Sequence, residues 1–251
     1  MTKYFEINRD GHNVRCKLYV NRMEAMKKVV LFCHGFAGHK DNSAAEKFAG
    51  RVLSKFGDAA VLTFNLPCHG DDVKKKLVLR DCLDYLGIVL DHIRESFRVE
   101  EIYAYATSFG GYLVLSYLHE RGNPFRKIAL RCPAVNMYTS LTETIMGADE
   151  LALLRKGKSV PVGFDRKIDV NPQFLEDLRN ADIQKLSFLD YADDILILHG
   201  TADEVIPFEA SQKFADDNVI EFIPVEGADH RFQKPAHMEL ATKAVIAFFG
   251  F

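Results

Sequence analysis

Three short stretches carry side chains that together could perform nucleophilic catalysis. The segment YATSFGGY, Tyr105 to Tyr112, sets Ser108 between Ala106 and Gly110, directly after the apolar run EEIYAYA. A serine on a sharp strand-to-helix turn needs small flanking residues and presents its hydroxyl at the end of the strand. Here the first small residue is alanine instead of glycine, so this stretch alone does not separate a nucleophile from a polar residue that ends a strand. The other two stretches supply what a serine nucleophile lacks. HGTADEVIP, residues 199–207, offers the carboxylate of Asp203, and EGADH, residues 226–230, offers the imidazole of His230. A hydroxyl becomes nucleophilic when a base takes its proton, and an imidazole base works best when an acid fixes its tautomer. Ser108, Asp203 and His230 are therefore the candidate nucleophile, acid and base, in that chain order. A further stretch, HGFAG at 34–38, is a glycine-containing turn that could aim the Phe36 N–H, alongside the Phe109 N–H, at a developing oxyanion.

Other polar residues nearby have plainer readings. His34 and His199 each precede a glycine at a strand end, where packing or loop support is the usual role. Asp229 adjoins His230, and adjacent side chains point apart; Asp203 is the better orienting acid, with Glu204 as the fallback. His69 reads as a turn stabiliser and Asp71 as a helix cap. Cys33-His34 and Cys68-His69 lack the spacing of paired metal ligands, so no metal and no cofactor are expected.

Positioning these groups requires strands that end on one side of a sheet. Apolar runs rich in β-branched and aromatic residues occur at 28–33, 59–64, 100–106, 126–132, 193–200 and 219–225. They alternate with segments of helical period at 42–56, 77–97, 109–120, 207–217 and 233–249. Near-continuous apolar runs suit strands buried on both faces, and the alternation predicts a mostly parallel sheet covered by helices. Two antiparallel strands, KYFEI and VRCKLYV, precede them, joined by a turn at Asn8 to Gly11. Ser108, Asp203 and His230 then all follow strand ends, on the side where such sheets bind ligands. Residues 133–192 break the alternation. An excursion this long between strands predicts a cap or lid over a site, and Met137, Tyr138 and Met146 within it are candidates to line an acyl pocket.

The 251 residues, 48% of them apolar, suffice for one domain spanning 1–251. A net charge of −3, with the run Lys74 to Lys76 directly behind Asp71 and Asp72, argues against a nucleic-acid partner. No apolar run approaches the ~18 residues of a membrane span and none resembles a secretory leader, so a soluble cytoplasmic protein is expected. The five cysteines are odd in number and mostly within apolar runs, which fits free thiols. Homo-oligomerisation stays open.

Taken together, HGFAG, FNLPCHGDD, YATSFGGY, HGTADEVIP and EGADH resemble the motifs of the α/β-hydrolase superfamily along nearly the whole chain. Among its members the chain is most similar to bacterial cinnamoyl and feruloyl esterases. The resemblance implies an α/β-hydrolase fold: a mostly parallel eight-stranded sheet flanked by helices, with a cap insertion after the sixth strand. It also implies a serine esterase acting on small carboxylic esters through an acyl-enzyme. An amidase, acyl-peptide hydrolase or carbon–carbon hydrolase on the same scaffold is the alternative, and a binding module that has lost turnover is a more distant one.

Overall fold

The computed structural model describes residues 1–163 and 166–251; Phe164 and Asp165, inside the expected cap, lie outside the described residues. Strands β1 (Thr2–Arg9) and β2 (His12–Val20) form an antiparallel hairpin. Its turn residues Asp10 and Gly11 both have positive φ (52° and 75°), the geometry that matches the twist of paired strands. The chain then runs through β3 (Lys28–Cys33), α1 (Ser43–Lys55), β4 (Ala59–Phe64), α2 (Leu79–Ser96), β5 (Glu101–Thr107), α3 (Phe109–Arg121) and β6 (Ile128–Arg131). Between β6 and the next strand of the main sheet lie α4 (Met137–Thr139), α5 (Ala148–Arg155), β7 (Val160–Val162), β8 (Ile168–Val170) and α6 (Pro172–Asn180). The chain closes with β9 (Ile195–Gly200), α7 (Phe208–Asn218), β10 (Glu221–Val225) and α8 (Pro235–Phe249).

The main sheet has eight strands in the order β1-β2-β4-β3-β5-β6-β9-β10. Only the β1–β2 and β2–β4 pairs are antiparallel; from β4 to β10 every pairing is parallel. Side chains alternate between the faces, so each central strand feeds two cores. On β5, Ile102, Ala104 and Ala106 join the core under α2 and α3, while Tyr103 and Tyr105 join the one under α1 and α8. Every strand end that the sequence associates with chemistry thus emerges on one edge of a rigid slab.

Two local readings change. Asp71 does not cap α2, whose N-cap residue is Val78; it instead accepts from Lys40 Nζ at 2.8 Å, on a loop bound to the body of the domain. Within 133–192 the structure adds an antiparallel pair, β7 with β8, which three-residue strands give no periodicity to announce. This segment is tied back to the domain. Asn171 caps α6 by accepting from Phe174 N–H at 3.0 Å and donates its amide to Leu77 O at 2.7 Å, and Tyr112 OH donates to Ala181 O at 2.8 Å. Among the described residues no helix is long and apolar enough to cross a membrane.

Candidate active site

Ser108 stands between β5 and α3 with φ 52° and ψ −120°, a conformation that costs a non-glycine residue about 1–3 kcal/mol. The surroundings over-determine it. Its N–H donates to Arg131 O at 3.1 Å, and its carbonyl accepts from Gly111 N–H (2.9 Å), Tyr112 N–H (3.2 Å) and Ala134 N–H (3.1 Å). A Cβ at Gly110 would collide with the Cys33 carbonyl and come within 2.7 Å of His34 O; one at Gly111 would sit 2.9 Å from Pro133 Cβ. The tight approach of strand and helix therefore falls on Gly110 and Gly111. Ala106, on β5 two residues before Ser108, is fully buried in the α3-side core, and its methyl fits there.

The turn after β3 closes with Gly38 N–H donating to Gly35 O at 3.0 Å, and Ala37 takes the left-handed φ of 60°. His34 holds the same carbonyl. Its Nδ1 lies 2.8 Å from Gly35 O, and its Nε2 accepts from Leu66 N–H at 3.2 Å, so the ring is neutral with the proton on Nδ1. Burial, aided by the neighbouring His69, pushes its pKa down to about 3. Because a trans peptide points its N–H away from its C=O, two bonds on Gly35 O also set the direction of the Phe36 N–H. Among the described residues neither the Phe36 nor the Phe109 N–H takes a hydrogen-bond partner. A Cβ added at Gly35 would lie 3.0 Å from Ser108 Cβ, so this turn and the serine are in contact. His69 is likewise buried and neutral, its Nδ1 2.7 Å from Pro67 O and its pKa pushed down to about 4 by burial.

The Asp203 side chain is wholly buried. Its Oδ1 accepts from the N–H groups of Val205 and Ile206, both at 2.8 Å, and its Oδ2 accepts from His230 Nδ1 at 2.7 Å. The same Oδ2 lies 3.1 Å from His199 Nε2, which is also 3.1 Å from Ile206 O. Burial alone would raise the acid's pKa; the hydrogen bonds from His199 and His230 outweigh it and hold Asp203 ionised far below the usual carboxylate range. With Nδ1–H given to the carboxylate, His230 keeps Nε2 as its remaining basic nitrogen. Glu204, the alternative acid, accepts from the His230 backbone N–H at 3.3 Å. The two loops are stitched together: Thr201 N–H donates to Val225 O (3.1 Å), Ala202 N–H to Ala228 O (3.0 Å) and Gly227 N–H to Thr201 Oγ1 (2.8 Å). Gly200 permits this, since a Cβ there would run into the Ala228 carbonyl.

Ser108, His230 and Phe36 face a common cavity of about 430 Å³, with Arg131, Ile145 and Arg166 also in its wall. Met137 and Tyr138 line a different hollow, between α4 and α6, and Met146 is buried; Ile145 is the residue of that stretch that reaches the cavity. His199, read from the sequence as loop support, does hold its loop, through Asp203 and Ile206 O. Arg131 escaped the sequence reading; its signal is a charge at the end of the otherwise apolar strand IALR.

Residues 28–154 match the family described as alpha/beta hydrolase fold. No curated protein sequence matches the chain. Among solved structures, Est1E from Butyrivibrio proteoclasticus with ferulic acid bound has a TM-score of 0.77 at 21% identity, over 97% of each chain. A soluble variant of monoglyceride lipase from Saccharomyces cerevisiae, in complex with a substrate analogue, has a TM-score of 0.75 at 14% identity, over 100% of this chain and 94% of that one. The esterase domain of a Rhodothermus marinus protein has a TM-score of 0.71 at 16% identity, over 99% and 97%. At these identities the likeness is one of fold.

Proposed function

The chain belongs to the alpha/beta hydrolase fold family, and from that premise we propose that it is a serine hydrolase of carboxylic esters. One observation carries the reading: the Asp203–His230 pair, at 2.7 Å, opens onto the same cavity as a serine held at positive φ. In the proposed reaction Ser108 Oγ attacks the ester carbonyl while its proton passes to His230 Nε2. The tetrahedral oxyanion is received by the N–H groups of Phe36 and Phe109, each such donor contributing roughly 3 kcal/mol where one has been removed elsewhere. The C–O bond to the alcohol then breaks and His230 returns the proton to the leaving oxygen. Water, deprotonated by His230, cleaves the acyl-enzyme the same way in reverse. Asp203 keeps the imidazole tautomer and offsets the imidazolium charge. Residues 133–192 are proposed as the cap, because Ile145 and Arg166 come from that segment to the cavity wall. All five cysteines are free, which supports a reducing, cytoplasmic setting.

The test is a fluorophosphonate probe together with p-nitrophenyl esters of short acyl chains. The wild type is expected to be labelled and to show a burst, and Ser108→Ala to lose both. Labelling that persists in Ser108→Ala refutes the assignment. Amide and β-diketone substrates run in parallel separate an esterase from the other hydrolases of this fold.

A further inference from the structure

Arg131 ends β6 as the charged residue of the strand IALR. Its backbone is pinned between two of the candidate loops. It faces Thr107 on one side, where its carbonyl accepts from Ser108 N–H at 3.1 Å, and Leu198 on the other, on the strand that leads to Asp203. Side chains of a strand alternate between the faces of the sheet. Ile128 and Leu130 enter the core under α2 and α3, and Ala129 the one under α1 and α8, so Arg131 is sent to the α8 side with Ala129. The residue is buried, 7% exposed. Among the described residues its guanidinium meets no carboxylate; its centre lies 5.3 Å from the Phe232 ring and its Nη1 3.2 Å from Met238 Sδ, while its Nε is buried without a hydrogen-bond partner. A guanidinium within about 6 Å of an aromatic face is drawn to it, the more so where water is excluded.

Both partners belong to the segment that carries His230. Met238 lies in the first turn of α8, and Phe232 follows His230 by two residues. Phe232 is 1% exposed and takes φ 53°, a left-handed conformation that a bulky side chain adopts only where its surroundings hold it. The turn is closed by Phe232 N–H on Asp229 O (3.1 Å) and Gln233 N–H on Asp229 Oδ1 (2.8 Å). Its far end rests, through the buried Phe232 ring, on the guanidinium. An apolar side chain would fill the same space without burying an unpaired charge, which costs stability. What it would not supply is a planar cation that stacks on a ring face in a fixed orientation.

We infer that Arg131 is a positioning residue: with its carbonyl on the Ser108 N–H and its guanidinium on the Phe232 ring, it sets the turn that holds His230 against the serine. The inference rests on the serine hydrolase reading for its kinetic consequence and adds the contact that registers base against nucleophile.

The test separates rate from stability. Arg131→Met removes the charge while keeping an unbranched side chain, so Tm should hold or rise. With a short-chain p-nitrophenyl ester, kcat should nevertheless fall about 10- to 100-fold at unchanged KM, as a small displacement of a reacting group does. Arg131→Lys, which keeps a cation by the ring, should recover part of the loss. Phe232→Leu should show a loss of similar size, and the double variant no more than the larger single loss, because the two side chains act as one contact. A kcat that holds in Arg131→Met, a loss that Arg131→Lys does not reduce, or losses that multiply in the double variant overturns the inference. Should Arg131→Met fail to fold, Arg131→Lys and Phe232→Leu decide. A second readout does not depend on turnover. Nitrogen NMR of histidine-labelled protein, above the imidazole pKa, should place the His230 proton on Nδ1 in the wild type and in Ser108→Ala. In Arg131→Met the two ring nitrogens should move toward the averaged tautomers of a free imidazole. Ring nitrogens unchanged by Arg131→Met count against the inference whether or not Ser108 proves to be the nucleophile. A tautomer shift in a protein without esterase activity would refute the hydrolase reading and leave the positioning role standing.

Discussion

His199 and His230 share one carboxylate oxygen, Asp203 Oδ2, at 3.1 and 2.7 Å, yet they sit in opposite circumstances. His199 is fully buried at the end of β9. Its Nε2 is committed to Asp203 and Ile206 O, and its Nδ1 faces protein without a partner among the described residues. His230 is 12% exposed, gives Nδ1 to the acid and keeps Nε2 beside the cavity. The same side chain with the same partner therefore serves as a strut in one place and is proposed as a base in the other. What differs is which ring nitrogen is left over and what it faces.

Substitutions can break that contrast in order of size. His230→Gln is expected to lower kcat by 10⁴-fold or more, as loss of a triad base does elsewhere, with little change in thermal midpoint. Steady-state kinetics beside a melting curve check it, and retention of a tenth of the activity would leave the two histidines indistinguishable. Asp203→Asn should come next, at roughly 10⁴-fold in kcat, because both imidazoles lose their common anchor. For His199→Phe the balance reverses. Rate should fall by only about 10²-fold, through a displaced acid. Denaturant unfolding should show a loss of about 1–3 kcal/mol as Asp203 Oδ2 forfeits a buried donor.

His34 and His69 supply the most gradual effect, and one that leaves His199 and His230 untouched. Burial holds their pKa at about 3 and about 4, below the ~6.5 of an unfolded chain. Between those values the unfolded state binds protons that the folded state refuses, so stability is lost as pH falls from about 6.5 toward 4. Each histidine should contribute about 1.4 kcal/mol per pH unit. Chemical melts across that window should show the slope, and His34→Asn should remove one proton from it; an unchanged slope would mean that His34 is not held neutral.

Much of this architecture was legible because the physics is local and repetitive. Strands buried on both faces must be apolar throughout, which is why β3, β4, β5 and β9 stood out and why Ser108, Asp203 and His230 could be placed beyond strand ends. What escaped were particular contacts. His199 was expected to support its loop, but the dipeptide His199-Gly200 does not say that the imidazole meets both a carbonyl and a carboxylate, and Asp71 looked like a cap because its true partner, Lys40, is distant in sequence. Within residues 133–192 the cavity is lined by Ile145 and Arg166 instead of Met137 and Tyr138, since a short irregular helix has no periodicity to say which way a side chain turns.

The pairing of Ile128 with Ile195 closes the base of the insertion, so residues 132–194 form one long loop clamped between two neighbouring strands. The entropy of closing such a loop grows only with the logarithm of its length, about 0.6 kcal/mol for each doubling. Over generations that segment can lengthen, shorten or be replaced at small thermodynamic expense while β5, β6 and β9 keep Ser108, Arg131 and Asp203 in register. The part of the wall contributed by residues 132–194 is free to diverge; the part contributed by the sheet is not.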